Sequence, residues 1–469
     1  MPVQRVLVVS PEYYGYYHAG GLGAAVHGLV NALAERGLDV TVALPNYFRK
    51  EGLESNKPNI YFALMPDRSN GYESFFGYKG YTGHDGEAYR TELLNLATTA
   101  SQFASEVGKY IKSLPSDKAP QVVHVHDWHS SFLPFLLSAS VPTLLTVHNA
   151  IYTCPFPPSN EQYDGIPSVQ AIALDGRVYR TVLEFGIDMA TRVNTVSQTY
   201  AQELLKGQHI SRSLHEAIKR KGLVGIVNGI DHGLFNPARD SHIVPFNTTD
   251  QYSLNRGKAM NKVRLQEYYF GKEFIGDEIL FVSMMGRPVK EKGIELVLDA
   301  ASEINKIEGL QLLIVGDALN NSRIAERMRQ LQKNIRGSPN FVGPEMQHRV
   351  LAGSDAILMP SSPTEPCGQV QLEGMRYGAI PIVTHVGGLR DTVKPVGEDG
   401  GYGIVIDEES PDGIVRALRT SVELFRNSAR WTELEIAAAG QDFSWTGPRD
   451  SVGKYIALYE KLIKQSKRV

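Results

Sequence analysis

The chain has 469 residues, 42% of them apolar and 21% charged, which is an ordinary globular composition with length for two or three domains. A formal net charge of −3, from 48 basic and 51 acidic residues, argues against bulk nucleic-acid or membrane-surface binding and leaves room for a local basic site. The two cysteines, Cys154 and Cys367, are too few for a disulfide framework and point to a reducing, cytoplasmic setting; no apolar run approaches the ~18 residues of a membrane span.

The first 45 residues set a pattern. Residues 6–9 (Val-Leu-Val-Val) form an apolar run of strand length, read as a buried strand rather than a signal peptide. A loop with Tyr13, Tyr14, Tyr16 and Tyr17 follows, where aromatic faces can stack on sugar rings. Leu22, Val26, Leu29, Val30 and Leu33 then recur at helical spacing, Gly37 stands at the capping position, and 40–44 is a second strand. Such a strand–helix–strand unit implies parallel pairing. Apolar runs at 122–125, 143–147, 193–196 and 224–227 extend the series into one doubly wound domain. Residues 236–255, with Pro237 and Pro245 and no clear periodicity, read as a linker that lets two domains close. A second series follows, with strands at 279–282, 310–315, 356–358, 380–383 and 403–406 and helical stretches such as 294–307 and 369–377. Val452, Tyr455, Ile456, Tyr459, Leu462 and Ile463 share one face of a closing amphipathic helix. The expected fold class is α/β: two Rossmann-like doubly wound domains facing a central cleft. Their spans are 1–240 and 241–448, followed by the closing helix at 449–469. Ligands in such sheets bind at the carboxyl ends of the strands.

Several motifs fall at those ends. Gly20-Gly21 precedes the first helix, where backbone amides and the helix dipole suit phosphate; the alternative is a tight turn. His124, His126, Asp127 and His129 are close enough in sequence to suggest a metal, but the pattern lacks the further ligands of a dinuclear hydrolase, and a polar strand end facing a cleft fits better. His148-Asn149 ends another strand. Arg287 and Lys292 bracket a turn before a helix, which fits a diphosphate whose charge must be neutralised as it leaves; Lys290 and Glu291 read as solvated charges. Glu365 and Glu373 are eight residues apart across a Pro-Cys-Gly turn, and carboxylates accept hydrogen bonds from sugar hydroxyls. Gly387-Gly388-Leu389 repeats the phosphate-compatible turn of the first glycine pair.

Taken together, the chain resembles the bacterial glycogen and starch synthases, retaining glycosyltransferases of GT-B architecture. The likeness rests on His18-Ala-Gly-Gly-Leu-Gly23, His126-Asp-Trp-His129, Thr146-Val-His-Asn149, Thr195-Val-Ser197, and Gly225 to Asp231. It continues with Arg287 and Lys292, Glu365-Pro-Cys-Gly368, Met375-Arg-Tyr-Gly378, Gly387 to Leu389, Asp391-Thr-Val393 and Phe443-Ser-Trp445. The resemblance implies glucose transfer from ADP-glucose or UDP-glucose to the non-reducing end of an α-1,4-glucan, with residues 1–240 on the acceptor side, 241–448 on the donor side and the 449–469 helix packing back on the first domain. The nucleotide sugar is the donor substrate; no cofactor and no metal are implied, and no nucleic-acid or membrane partner. Arg287, Lys292 and backbone at Gly20, Gly21, Gly388 and Leu389 would contact the diphosphate. Glu365 would contact the transferred sugar, Glu373 the ribose, and His148 would lie near the anomeric carbon, with Asp127 and Asn228 lining the site. The chain departs from the family at His18, where Lys is usual, at Ala24, where Asp is usual, near Val342, where an adenine-stacking Tyr falls, and at Glu373, which many glycogen synthases lack. Two alternatives follow from these departures: the same chemistry on a different sugar or acceptor (small metabolite, lipid precursor or protein), and a silent homologue that binds glucan or nucleotide. Donor base, sugar, acceptor and oligomeric state stay open at this level.

Overall fold

A computed structural model describes residues 2–16, 20–46, 53–54, 59–63, 87–137, 140–156, 172–174, 176–318, 321–340 and 343–466. The chain divides into two units, Met1–Gly229 with Trp445–Val469, and Ile230–Ser444.

In the first unit, β1 (Arg5–Val9), β2 (Asp39–Pro45), β3 (Leu53–Glu54), β4 (Asn59–Ala63), β5 (Val122–His126) and β6 (Thr143–Val147) are followed by a two-stranded hairpin, β7 (Ile172–Leu174) with β8 (Arg177–Tyr179), then β9 (Arg192–Thr195) and β10 (Val224–Gly225). The main sheet runs β10-β9-β6-β5-β1-β2-β4-β3, parallel except for the β3–β4 edge. Alternation along the strands feeds two cores. Val6 and Val8 face the helix Gly21–Glu35 and the terminal helix Ser451–Ser466, whereas Leu7 and Val9 face the helix Glu87–Ser113. The chain's last helix is therefore a structural part of the first unit. His124 on β5 meets the hydroxyl of Tyr459 at 2.8 Å, inside this core.

In the second unit, β11 (Leu280–Met285), β12 (Leu310–Val315), β13 (Ile335–Ser338), β14 (Ala356–Met359), β15 (Ile380–Thr384) and β16 (Ile404–Ile406) form an all-parallel sheet ordered β13-β12-β11-β14-β15-β16. Both sheets are Rossmann-like, as the alternation of runs and helices predicts. The stretch 294–307 is two short helices, Ile294–Asp299 and Ala301–Ile304.

Residues 236–255 are not a free linker. Asp240, Ile243, Phe246 and Leu254 are buried within the second unit, and Asp250 caps the helix Gln251–Tyr269 by accepting from the Ser253 amide at 2.6 Å. The chain passes between units at 229–230 and 444–445. Those segments run side by side, with the Ile230 amide donating to the Phe443 carbonyl at 2.9 Å.

Removing 446–469 uncovers Val6, Val8 and Val26. The first unit is expected to lose its cooperative transition in urea while the second keeps its own, with Trp128 and Trp431 fluorescence reporting on the two.

Candidate functional site

The site residues fall in two groups, one in each unit. In the first, β5 and β6 run parallel with His126 beside Thr146. After His126 the chain turns sharply. Asp127 adopts φ 54, and the Ser130 hydroxyl both accepts from the His126 amide and donates to its carbonyl. This puts the Asp127 carboxylate over the end of β6, where it accepts from the His148 amide at 2.6 Å and also from the Asn149 amide. Nδ1 of His126 and Nε2 of His148 are 2.9 Å apart. Deeper, His124 bonds Tyr459 and the Thr146 hydroxyl, Thr146 donates to Asn194, and Asn194 donates to the Tyr455 hydroxyl. The histidines are thus joined to one another and to hydroxyls. No group of three or more His, Cys, Asp or Glu among the described residues is placed to hold a metal.

Burial governs the charge state here. It pushes His124 and His148 down to about 3 and His126 well below its usual value, so all three imidazoles are neutral at pH 7. Burial pushes Asp127 up to about 7 against the two amide bonds it accepts. The Asn228 Oδ1 is buried with no hydrogen-bond partner among the described residues. The Gly20 amide, expected to be open, donates to Glu12 at 3.3 Å. Tyr13 packs edge-on against His27, Tyr14 stacks on it, and Tyr16 tilts against Phe62, so these rings pack within the unit. His18 and Tyr17 lie outside the described residues.

In the second unit the turn after β11 carries Arg287 and Lys292. Lys292 Nζ donates to Glu365 Oε2 at 2.5 Å, and the Glu365 side chain is only 4% exposed. Burial alone would raise the Glu365 pKa. The charge and hydrogen bond of Lys292, aided by the charge of Arg287, outweigh it and hold the carboxyl below its usual range, so Glu365 is ionised. Two glycines allow the loops to meet. A Cβ on Gly293, which has φ 72, would lie 2.0 Å from the Pro360 carbonyl oxygen. One on Gly388 would lie 2.3 Å from Cys367 Cα. The Gly388 amide points to the Glu365 carbonyl at 3.4 Å, a long and easily exchanged bond, and the Leu389 amide donates to Val386. The Leu389 side chain is core, alongside buried Gly387.

Glu373 lies on the helix Val370–Arg376, almost fully buried, and accepts from Gln347 Nε2 at 2.8 Å. Burial lifts it to about 7. The two carboxylates therefore differ in kind, one held ionised by a lysine and the other poised to titrate near neutrality. Buried Gln369 Nε2 and Gln371 Oε1 lack hydrogen-bond partners among the described residues. They add a donor and an acceptor beside the Glu365 turn that sequence reading passed over, because neutral amides carry no titrating signal.

Each unit is thus built on a Rossmann-like sheet of parallel strands, and the second presents a lysine-paired buried carboxylate beside glycine-dependent turns. The family described as "Starch synthase catalytic domain" matches residues 5–220, and "Glycosyl transferases group 1" matches 266–433. The chain is 31% identical over 500 residues to a glycogen synthase of Caldicellulosiruptor saccharolyticus, covering 98% of this chain and 100% of the relative. It is 32% identical over 491 residues to glycogen synthase 1 of a Synechocystis species, covering 98% and 95%. The catalytic domain of starch synthase IV from Arabidopsis thaliana, solved with ADP and acarbose, superimposes with a TM-score of 0.78 at 24% identity over 99% of both chains. The chain belongs to the glycogen and starch synthase family and is a nucleotide-sugar-dependent hexosyltransferase.

The charge states give a signed pH dependence. Three imidazoles neutral in the fold must gain protons on acid unfolding, so stability present above pH 6.5 is lost as pH falls toward 3. Asp127 acts oppositely: its stabilising protonated state is lost as pH rises from about 4 to 7. Replacing His124 with Gln removes one such proton and should flatten the stability slope between pH 6 and 4 by about 1.4 kcal/mol per pH unit, read from urea transitions.

Proposed function

We propose that the chain transfers glucose, with retention of anomeric configuration, from ADP-glucose or UDP-glucose to the non-reducing end of an α-1,4-glucan. The observation that carries this reading is the Lys292–Glu365 pair, an ionised carboxylate buried beside the turn that bears Arg287. It is supported by the glycogen synthases that match the whole chain, and by structural neighbours solved with ADP and acarbose or with UDP-glucose.

Lys292 has three donors and gives one to Glu365, leaving two for a diphosphate oxygen. With Arg287 it stabilises the charge that develops as the bond from C1 to the diphosphate oxygen breaks. The acceptor hydroxyl attacks C1 from the same face, and its proton passes to the departing diphosphate. Glu365 accepts a hydrogen bond from the transferred sugar and orients it. His148, with Nε2 committed to His126, keeps Nδ1 for the sugar near the anomeric carbon. Asp127 holds that histidine through its backbone, and Asn228 offers its unpaired Oδ1. Backbone at Gly20, Gly21, Gly388 and Leu389 exchanges its internal bonds for phosphate oxygens, and Glu373 reads the ribose. No step calls on a divalent cation or a resident cofactor.

Purified protein incubated with ADP-glucose or UDP-glucose and maltoheptaose should release nucleotide diphosphate and extend the glucan, with activity surviving EDTA. Glu365→Gln and Lys292→Ala should each lower kcat ~100-fold or more. Absence of release with every donor and acceptor pair overturns the reading.

A further inference from the structure

Asp240 lies in the segment read as a linker, yet it is one of the most heavily bonded carboxylates of the second unit. Its Oδ2 accepts from Nδ1 of His348 at 2.6 Å and from the Tyr377 hydroxyl at 2.6 Å, and its Oδ1 accepts from the His242 amide at 2.9 Å. His348 Nδ1 is also 2.8 Å from the Tyr377 hydroxyl. An ionised carboxylate only accepts, so Nδ1 of His348 carries the proton and the ring orientation is set. Phe235 stacks on the face of the same ring at 5.4 Å and 17°. Both the edge and the face of the imidazole are therefore fixed.

These bonds tie two elements together. His348 belongs to the helix Gly343–Gly353, and Tyr377 closes the helix Val370–Arg376. On the first, the neighbouring residue Gln347 donates to Glu373 Oε2. On the second, Glu373 stands one turn before Tyr377. Glu373 is thus held from both elements that Asp240 joins. One oxygen of Glu373 is spent on Gln347. The other, with the remaining lone pair of the first, is left to accept from a pair of adjacent hydroxyls.

We propose that Asp240, His348 and Tyr377 are positioning residues that clamp Gln347 and Glu373 in the geometry for accepting hydrogen bonds from the two ribose hydroxyls of the donor nucleotide. The proposal rests on the reading of Glu373 as the ribose contact. None of the three touches a reacting atom; they act by denying Glu373 alternative orientations. A buried polar network satisfied in this way rigidifies the two helices it joins.

The test measures affinities of ADP, UDP and their 2′-deoxy forms by titration calorimetry for the wild type and for Glu373→Ala, Asp240→Asn and Tyr377→Phe, with melting temperatures to establish folding. Wild type should prefer the ribonucleotide and Glu373→Ala should lose that preference. Asp240→Asn should reduce the preference ~3–10-fold while its affinity for the deoxynucleotide stays within about twofold. A merely structural role would weaken both nucleotides equally. Tyr377→Phe removes a single bond to Asp240 and should shift the preference in the same direction by less, which keeps the test decisive if Asp240→Asn does not fold. If Glu373→Ala loses the preference but the folded clamp variants keep it, the clamp is overturned and the ribose reading stands. If Glu373→Ala keeps the preference, the ribose reading fails and takes the clamp with it.

Discussion

The loops at the strand ends of the second unit meet around a buried anion, Glu365. A carboxylate as enclosed as Glu365 survives as an ion only with a cation at bonding distance, and Lys292 supplies it at 2.5 Å. Removing Lys292 would strand the buried carboxylate, at a cost on the order of 3–5 kcal/mol. The pair also dictates backbone. To bring the 287–293 turn against the end of β14, Gly293 takes a left-handed conformation with no room for a side chain. To bring the 387–389 turn against the 365–368 loop, Gly388 must lack one as well. Both glycines are thus required by the close approach of the loops on either side of Glu365.

The first unit solves the opposite problem. Its strand ends carry three imidazoles and a carboxylate in a desolvated place, where burial keeps the imidazoles neutral and they bond to one another and to the hydroxyls of Thr146 and Tyr459. In the second unit, by contrast, two cations, Lys292 and Arg287, act on one buried carboxylate.

Much of this was legible in the sequence because buried parallel strands are apolar on both faces. The runs at 6–9, 40–44, 122–125, 143–147 and 310–315 are strands in the structure. β4 and β13 escaped notice because Asn59 and Tyr61 interrupt the first, while Arg336 and Gly337 interrupt the second, an edge strand. The 236–255 segment misled for a different reason. The helix it leads into buries Lys258, Asn261, Lys262 and Gln266, so its inner face is polar and shows no apolar period. The Glu365 turn was visible as a motif. The partners Asp240, His348 and Tyr377 were not, since their meaning lies in contacts across 108 and 137 residues of chain.

The return of the last helix to the first unit has a consequence for how the protein is made. Val6, Val8 and the helix Gly21–Glu35 are covered by Val452, Tyr455 and Tyr459, residues made only after the whole second unit. The first unit therefore emerges with one face of its sheet uncovered and waits through translation of the whole second unit before its core is closed. The unit translated first is the last to be finished, and during that interval its apolar face is a surface for chaperones to guard.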